Sequence, residues 1–421
     1  MSLVNIISAL GNNNSIYPLL VRDCGIENVA KCYMTYKQNA KESEFIAKEA
    51  TRERIIDEYG TSAVWLGGIP LLNKVCDKLI DLTGLSSKVD TALIKGSGFQ
   101  SLEKNIDTFK GRVSKEIINN LSSVANNKKL FQGLQIGKFV ATTTIPIILM
   151  GFILPKINFS YTKKKLCTEK QEYKPSTPSN FDEFKSSLNK NKQVSFKGLE
   201  KLANMSDLEK MMILDGGLTV GRVRTGRNKQ EKGELAFKMA GMCFLNYIAP
   251  KWLEKGFNKI TKNIFGINTN LDVKLLDSQK FISAIKSNSL ELPQNLDEKS
   301  ILDFIDQSPN SIFVEEAKKL KLVSFLDENI RDPRKFVNTG EIASLKESIS
   351  EFVEDAIKSG SVEKFAKKAL KAKSFNTILN IGTSSLLLAY VLPKVQFLLR
   401  KLITGTSTDP AISEIVKKKY N

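Results

Sequence analysis

The chain reads as an all-α, membrane-associated protein, and three observations carry that reading. Strand-like alternation of apolar and polar residues is rare along its 421 residues. Apolar residues instead recur three and four apart, the spacing of one helix face. Two longer stretches, Phe139–Pro155 and Ser374–Pro393, carry no charged side chain at all.

The first of these, FVATTTIPIILMGFILP, lies between Lys138 and Lys156. It is at the short end for a bilayer span, and Pro146 inside it predicts a kink. Membrane helices tolerate such a proline when neighbours satisfy the freed backbone groups. The second, SFNTILNIGTSSLLLAYVLP, lies between Lys373 and Lys394. As a helix it spans about 30 Å, the thickness of a hydrocarbon core. Asn376, Asn380 and Thr383-Ser384-Ser385 weaken it, so a helix buried in a soluble core is the alternative. Tyr59–Asn73 and Met239–Pro250 are also uncharged but too short to span. They read as core helices or as arms of re-entrant hairpins.

All four stretches share a layout in which an apolar run reaches a proline and continues into a basic amphipathic tail. The tails are PLLNKVCDKLI from Pro70, PKINFSYTKKK from Pro155, PKWLEKGFNKI from Pro250 and PKVQFLLRKLI from Pro393. Proline is easily placed in the first turn of a helix, so each unit reads as apolar helix, proline joint and surface-lying helix. FILPK and YVLPK, ending at Lys156 and Lys394, are the closest pair. Upstream, LLVRDCGIENV from Leu19 resembles MMILDGGLTVG from Met211, with Asp23 and Asp215 each before a glycine-containing turn. This order suggests two copies of one half, roughly 15–165 and 205–401. Chance similarity of apolar-proline-basic segments is the competing account. Under the duplication, Phe139–Pro155 and Ser374–Pro393 are expected to lie side by side through the small residues Ala141, Gly151, Gly382 and Ala389.

The expected organisation follows. A first helical half covers 1–165 and holds apolar segments 59–73 and 139–155. A linker covers 166–204, where Pro175 and Pro178 stand among Ser, Thr and Asn. The second half starts over 205–265, with apolar segment 239–250, and Ser206 with Glu209 forms a capping box. A soluble helical insert covers 266–360, with helices over 277–287, 297–306, 311–326 and 341–357. The last apolar segment and a basic tail fill 361–421. Elsewhere, Glu42–Ile56 predicts a helix whose apolar positions are Phe45, Ile46, Ala50, Ile55 and Ile56. Ser101–Ile118 predicts one amphipathic helix.

Lys and Arg number 63 against 45 Asp and Glu, a net charge of +18, which points to an anionic partner such as lipid headgroups or nucleic acid. There is no histidine, which removes His triads, His metal ligands and histidine pH switches. Cys24, Cys32, Cys76, Cys167 and Cys243 are widely spaced and form no C-x-x-C pair, so buried thiols in a reducing compartment are expected, with no metal site. The N-terminus lacks the basic region of a cleaved secretory signal. No cofactor motif is present.

The sharpest polar motif is DGGLTVGRVRTGRNK, Asp215–Lys229. Its glycines and Arg222, Arg224, Arg227 and Lys229 suit an anion, either a phosphate or a lipid headgroup. A flexible basic turn between two helices is the plainer reading. It is neither a P-loop nor a dinucleotide fingerprint. Lys163, Lys164 and Lys165 follow an apolar segment directly and suit anionic lipid, as do Arg400, Lys401 and Lys417–Lys419. Asp23 and Asp215 suit a paired-carboxylate role or, more simply, helix capping. Nothing assembles a catalytic set. The reading is therefore a membrane-associated, non-enzymatic structural or scaffold protein. The alternatives are a carrier or small pore built from two repeats, and a soluble helical nucleic-acid-binding protein.

Overall fold

The structure, a computed structural model, describes residues 3–11, 20–41, 44–95, 98–168, 207–267, 271–405, 409 and 411–412. The regular elements of the described residues are all helices, apart from one isolated β-bridge between Phe325 and Arg331. The linker prolines, Ser206 and Lys417–Lys419 lie outside the described residues. The chain forms two compact units of interleaved stretches. Unit 1 comprises Met1–Ile26, Cys76–Phe131 and Phe244–Leu387, and unit 2 comprises Glu27–Val75, Gln132–Cys243 and Leu388–Asn421.

Unit 1 is built around an apolar core. Helices Gln279–Lys286, Glu298–Gln307, Ile312–Lys319, Thr339–Lys358 and Val362–Leu386 point apolar faces at a common core that includes Phe281, Ile301, Phe313, Ile342 and Phe352. Phe281 stacks on Phe352 at 5.7 Å. Helix starts are set locally: Asp272, Ser278, Asp297 and Ser311 each accept an N–H of their own first turn, worth about 1 kcal/mol apiece. The helix expected over 311–326 ends at Lys319, because Lys321 takes φ +59 and the chain turns back. Ser101–Ile118 is likewise not one helix. Leu102–Phe109 and Lys115–Asn126 are separated at Gly111, whose φ of +82 no helix admits.

Unit 2 contains two helical hairpins. Asn28–Asn39 packs on Glu44–Ala63, and Leu154–Thr168 lies against the latter. Asp207–Thr225 packs on Lys229–Cys243, and Leu392–Thr404 lies against the latter. The glycine-rich stretch after Asp215 is therefore helix up to Thr225, not turn; only Gly226–Asn228 breaks the helix. Asp215 sits well inside this helix, which overturns capping as its role. Asp23 lies within the π-helical segment Leu20–Glu27.

All four repeat-motif prolines share one local structure. A five-residue π-helical turn stands two residues before each: Val64–Gly68 before Pro70, Leu149–Ile153 before Pro155, Phe244–Ile248 before Pro250, and Leu387–Val391 before Pro393. Proline has no N–H, and its ring strikes the carbonyl four residues back. The π-turn relieves this by lengthening the preceding bond. Ile69 N–H reaches the Val64 carbonyl and Leu154 N–H the Leu149 carbonyl, five residues back.

Among the described residues, one helix is long and apolar enough to cross a membrane, the continuous run Lys128–Lys165. Ser374–Pro393, expected as a second span, is not. Its polar residues interrupt it, Asn376 donating to Asn258 at 2.8 Å and Ser384 to Asn380 at 3.3 Å. The side-by-side packing expected of Gly151 and Ala389 is also corrected. Gly151 meets Leu218 and Gly221, while Gly382 faces open space. A Cβ at Gly221 would stand 3.0 Å from the Gly151 Cα, so two backbones touch here.

Candidate functional site: a charged interior in unit 2

The Glu44–Ala63 helix buries the expected Ile46 and Ala50 in its first half and turns charges inward in its second. Ile55 and Ile56, expected in the core, are 44% and 36% exposed, whereas Glu53 and Glu58 are each 7% exposed. Ala50, Glu53, Asp57 and Thr61 recur three and four apart on its inward face. Around them, unit 2 encloses a cavity of about 80 Å³. Charged groups from both hairpins, Arg400 of Leu392–Thr404 and Asp409 line it, and with the buried charges behind them they sort into two sets that no ion pair joins among the described residues.

The acidic set holds Glu53, Glu231, Glu234 and Asp409 against Arg227 and Arg400. Arg227 grips Glu53 through both terminal nitrogens at 3.1 Å, reaches Glu231 at 2.8 Å and Asp409 at 3.6 Å, and stacks over Phe159 at 4.2 Å. Arg400 holds Glu234 at 2.5 and 2.7 Å and lies over Phe397. Among the described residues, two guanidinium groups face four carboxylates here. Burial accordingly pushes the Glu53 carboxyl up to about 7 despite Arg227. Burial and the neighbouring Asp409 raise Glu231 in the same sense.

The basic set holds Lys31, Arg54, Arg222 and Lys238 against Glu27, Asp57 and Glu58. Arg222 takes Asp57 in a two-pronged bond of 2.7 and 3.1 Å and reaches Thr61 at 2.6 Å. Lys238 donates to Glu58 at 2.8 Å, and Arg54 bonds the same carboxylate at 3.2 Å. Lys31 bridges Glu27 and Glu58. Burial, then the nearby Arg54, lowers the Lys238 ammonium to about 8. Burial alone would raise Glu58, but Lys238, Lys31 and Arg54 hold it well below the carboxylate range.

Both following helices enter this interior in the same way. Leu154, before Pro155, seats on Gly60, where a Cβ would stand 2.9 Å from it; Leu392, before Pro393, seats on Gly241, where a Cβ would stand 2.5 Å from it. Asn158 then donates to the Glu53 carbonyl at 2.8 Å, and Gln396 to the Glu234 carboxylate at 3.5 Å.

The structure thus divides the residues singled out by sequence. Arg222, Arg227 and Lys165 are bound to carboxylates, Lys165 to Glu49. Arg224, Lys229, Lys163 and Lys164 lie on the surface. Pro155 and Pro393 are buried, and Pro70 is exposed. Sequence reasoning missed Glu53, Asp57, Glu58, Glu231, Glu234, Lys238 and the inward role of Arg400. The available signal was the three-four spacing of charges along Glu49–Thr61, a second face that hydropathy discounts. Cys24, Cys32, Cys76 and Cys243 are free thiols. Compared with known proteins, the chain matches no family model, no curated protein and no solved structure.

Proposed function

We propose that the chain is a membrane-associated, non-enzymatic structural protein whose unit 2 meets lipid. The observation that carries this is the partition of unit 2, which buries a charged interior beside a small apolar cluster of Met150, Leu214, Leu218 and Met239 and leaves many apolar side chains outside. Ile145, Leu149, Ile153 and Ile157 form an exposed stripe, four residues apart, along the Lys128–Lys165 helix. Val391, Val395, Leu398 and Leu402 do the same around Pro393. Ionisable side chains in membrane proteins face the bundle interior and pair there. The bilayer then receives the apolar stripe over 139–155. Lys156, Lys163 and Lys164 follow directly at the surface, suited to anionic headgroups at about 1 kcal/mol per charge. Anionic lipid fits better than nucleic acid, because much of the positive charge in unit 2 is turned inward onto carboxylates. Flotation with vesicles containing phosphatidylserine tests this. The full chain is expected to float, to resist alkaline carbonate, and to lose that resistance when Leu149 and Ile153 become Glu. Release of the unaltered chain by carbonate alone overturns insertion.

A second reading, a carrier built from two copies, has its own support. Glu53 and Gly60 stand as far apart as Glu234 and Gly241. LPKINF and LPKVQF bring Asn158 and Gln396 to those glutamates and Phe159 and Phe397 under the two arginines. Reconstituted flux is its test: vesicles that stay impermeable to small solutes in the presence of the protein reject it.

A further inference from the structure

We infer that the unit 2 cavity is a binding site for a small zwitterion, an amino acid of a few heavy atoms. The inference does not depend on membrane insertion, because it rests on the interior alone. The cavity wall is polarised. On one side, Glu53, Glu231, Glu234 and Asp409 outnumber the arginines that bond them. On the other, Arg54, Arg222 and Lys238 face the cavity with Asp57. The Glu44–Ala63 helix shows the spacing of the two poles, since it supplies Glu53 to the first and Asp57 to the second. These lie four residues apart, about 6 Å along the axis. The ammonium and carboxylate of an α- or β-amino acid lie closer together than this, and a hydrogen bond from each group to its own pole spans the remainder.

A single ion does not suit the site. A cation satisfies the acidic pole and is repelled by the basic one, and an anion meets the reverse. Water fills the volume but supplies no charge. A zwitterion supplies a positive group where carboxylates are in excess and a negative group where cations are. The shifts at Glu53 and Lys238 are those of groups short of counter-charge, and such a ligand removes both deficits. Two buried atoms of residues that line the cavity, the Arg222 Nε donor and the Asn158 Oδ1 acceptor, have no partner among the described residues.

Calorimetry and thermal unfolding of the full chain test this with glycine and β-alanine as probes. The expected result is saturable binding by at least one of them, with a rise in unfolding temperature. Methylammonium and acetate, separately or together at the same concentration, are expected to give neither, because they lack the covalent link between the charges. Glu53→Gln is expected to weaken binding about tenfold by replacing a charge-assisted contact with a neutral one. Glu234→Gln, on the matching hairpin, provides a second variant should the first fold poorly. Equal stabilisation by acetate or methylammonium alone would reduce the site to a single-ion pole and overturn the proposal. Absence of binding by both amino acids to folded wild-type protein would leave a hydrated cavity only, and also overturns it.

Discussion

The two units solve the problem of burial in opposite ways. Unit 1 places Phe281, Ile301, Phe313 and Ile349 in its centre and keeps pairs such as Lys286 with Glu363 at 2.6 Å on its surface, with few charges buried, Arg331 on Asp306 among them. Each large apolar side chain taken from water there stabilises the fold by roughly 1.5–3 kcal/mol. Unit 2 places Glu27, Lys31, Glu53, Glu58, Arg222 and Lys238 inside and leaves Ile55, Ile153, Leu398 and Leu402 outside. In water that arrangement forfeits apolar burial and adds a desolvation penalty of several kcal/mol per ion before pairing offsets it. Against lipid, the outer apolar side chains have their preferred surroundings, and interior pairing is what a charged side chain requires. The difference teaches that helix content alone says little about environment. The direction in which each helix turns its charges says more.

The comparison breaks first at Arg227. Replacing it with Leu strands Glu53, Glu231 and Asp409 without their shared counter-charge, and a loss of about 3–5 kcal/mol in unit 2 stability is expected. Phe281→Ala in unit 1 is expected to cost a similar 3–5 kcal/mol through a cavity. The two are told apart by solvent. Added detergent micelles should raise the unfolding temperature of unit 2 and leave the transition of unit 1 unmoved, followed by hydrogen exchange resolved along the chain. Equal response of both units would remove the contrast.

The pH profile sharpens it next. Glu53 titrates near 4.5 when unfolded and about 7 when folded. Between these values the folded state holds the extra proton, so unit 2 loses stability as pH rises, by about 3 kcal/mol across the window. Lys238 works in the opposite sense. Its folded value of about 8 lies below its ordinary 10.5, so the unfolded state holds the extra proton and stability returns as pH rises through that interval. Unit 2 should therefore be least stable between about pH 7 and 8. Glu53→Gln is expected to flatten the acidic limb and Lys238→Met the alkaline one, measured by denaturant midpoints across pH. A monotonic profile for the unaltered chain would show that these groups carry their ordinary affinities.

Much of the fold was legible before the structure, and the reasons differ by region. The helices around Phe281 and Ile301 were found because water-facing helices advertise their buried side by hydropathy. The four prolines were found because apolar-proline-basic is a local pattern, and each proved to follow a π-turn. The π-turns themselves leave no composition signal, since they answer a clash between atoms that only a folded helix brings together. The candidate site was illegible for the opposite reason to unit 1. Along Glu44–Ala63 the expected apolar face is buried at Ile46 and Ala50, but Ile55 and Ile56 point outward and charges take the inner side. Arg227 and Arg222 were singled out as receptors for an external anion; each has its anion already, on Glu53 and Asp57, from a hairpin distant in sequence. Long-range pairing of this kind has no periodicity to read.

The smallest expected effects concern glycines, and they separate close approach from mere flexibility in unit 2. Gly221 and Gly233 both lie within helices, where glycine is less favourable than alanine by roughly 0.5–1 kcal/mol. Propensity alone therefore predicts that alanine stabilises at both positions. At Gly233 a new Cβ meets nothing within 4 Å, so Gly233→Ala should yield most of that gain. At Gly221 the new Cβ would stand 2.9 Å from Phe152 and 3.0 Å from the Gly151 Cα. The ring can rotate away, but the Gly151 backbone belongs to a π-turn fixed ahead of Pro155 and cannot. Forced separation of packed elements costs about 1–3 kcal/mol, which outweighs the propensity gain. Gly221→Ala should therefore destabilise while Gly233→Ala stabilises, both read from unit 2 unfolding in detergent. If both substitutions stabilise, the helices do not touch at Gly151 and Gly221, and the charged interior they help enclose must be held at a different spacing.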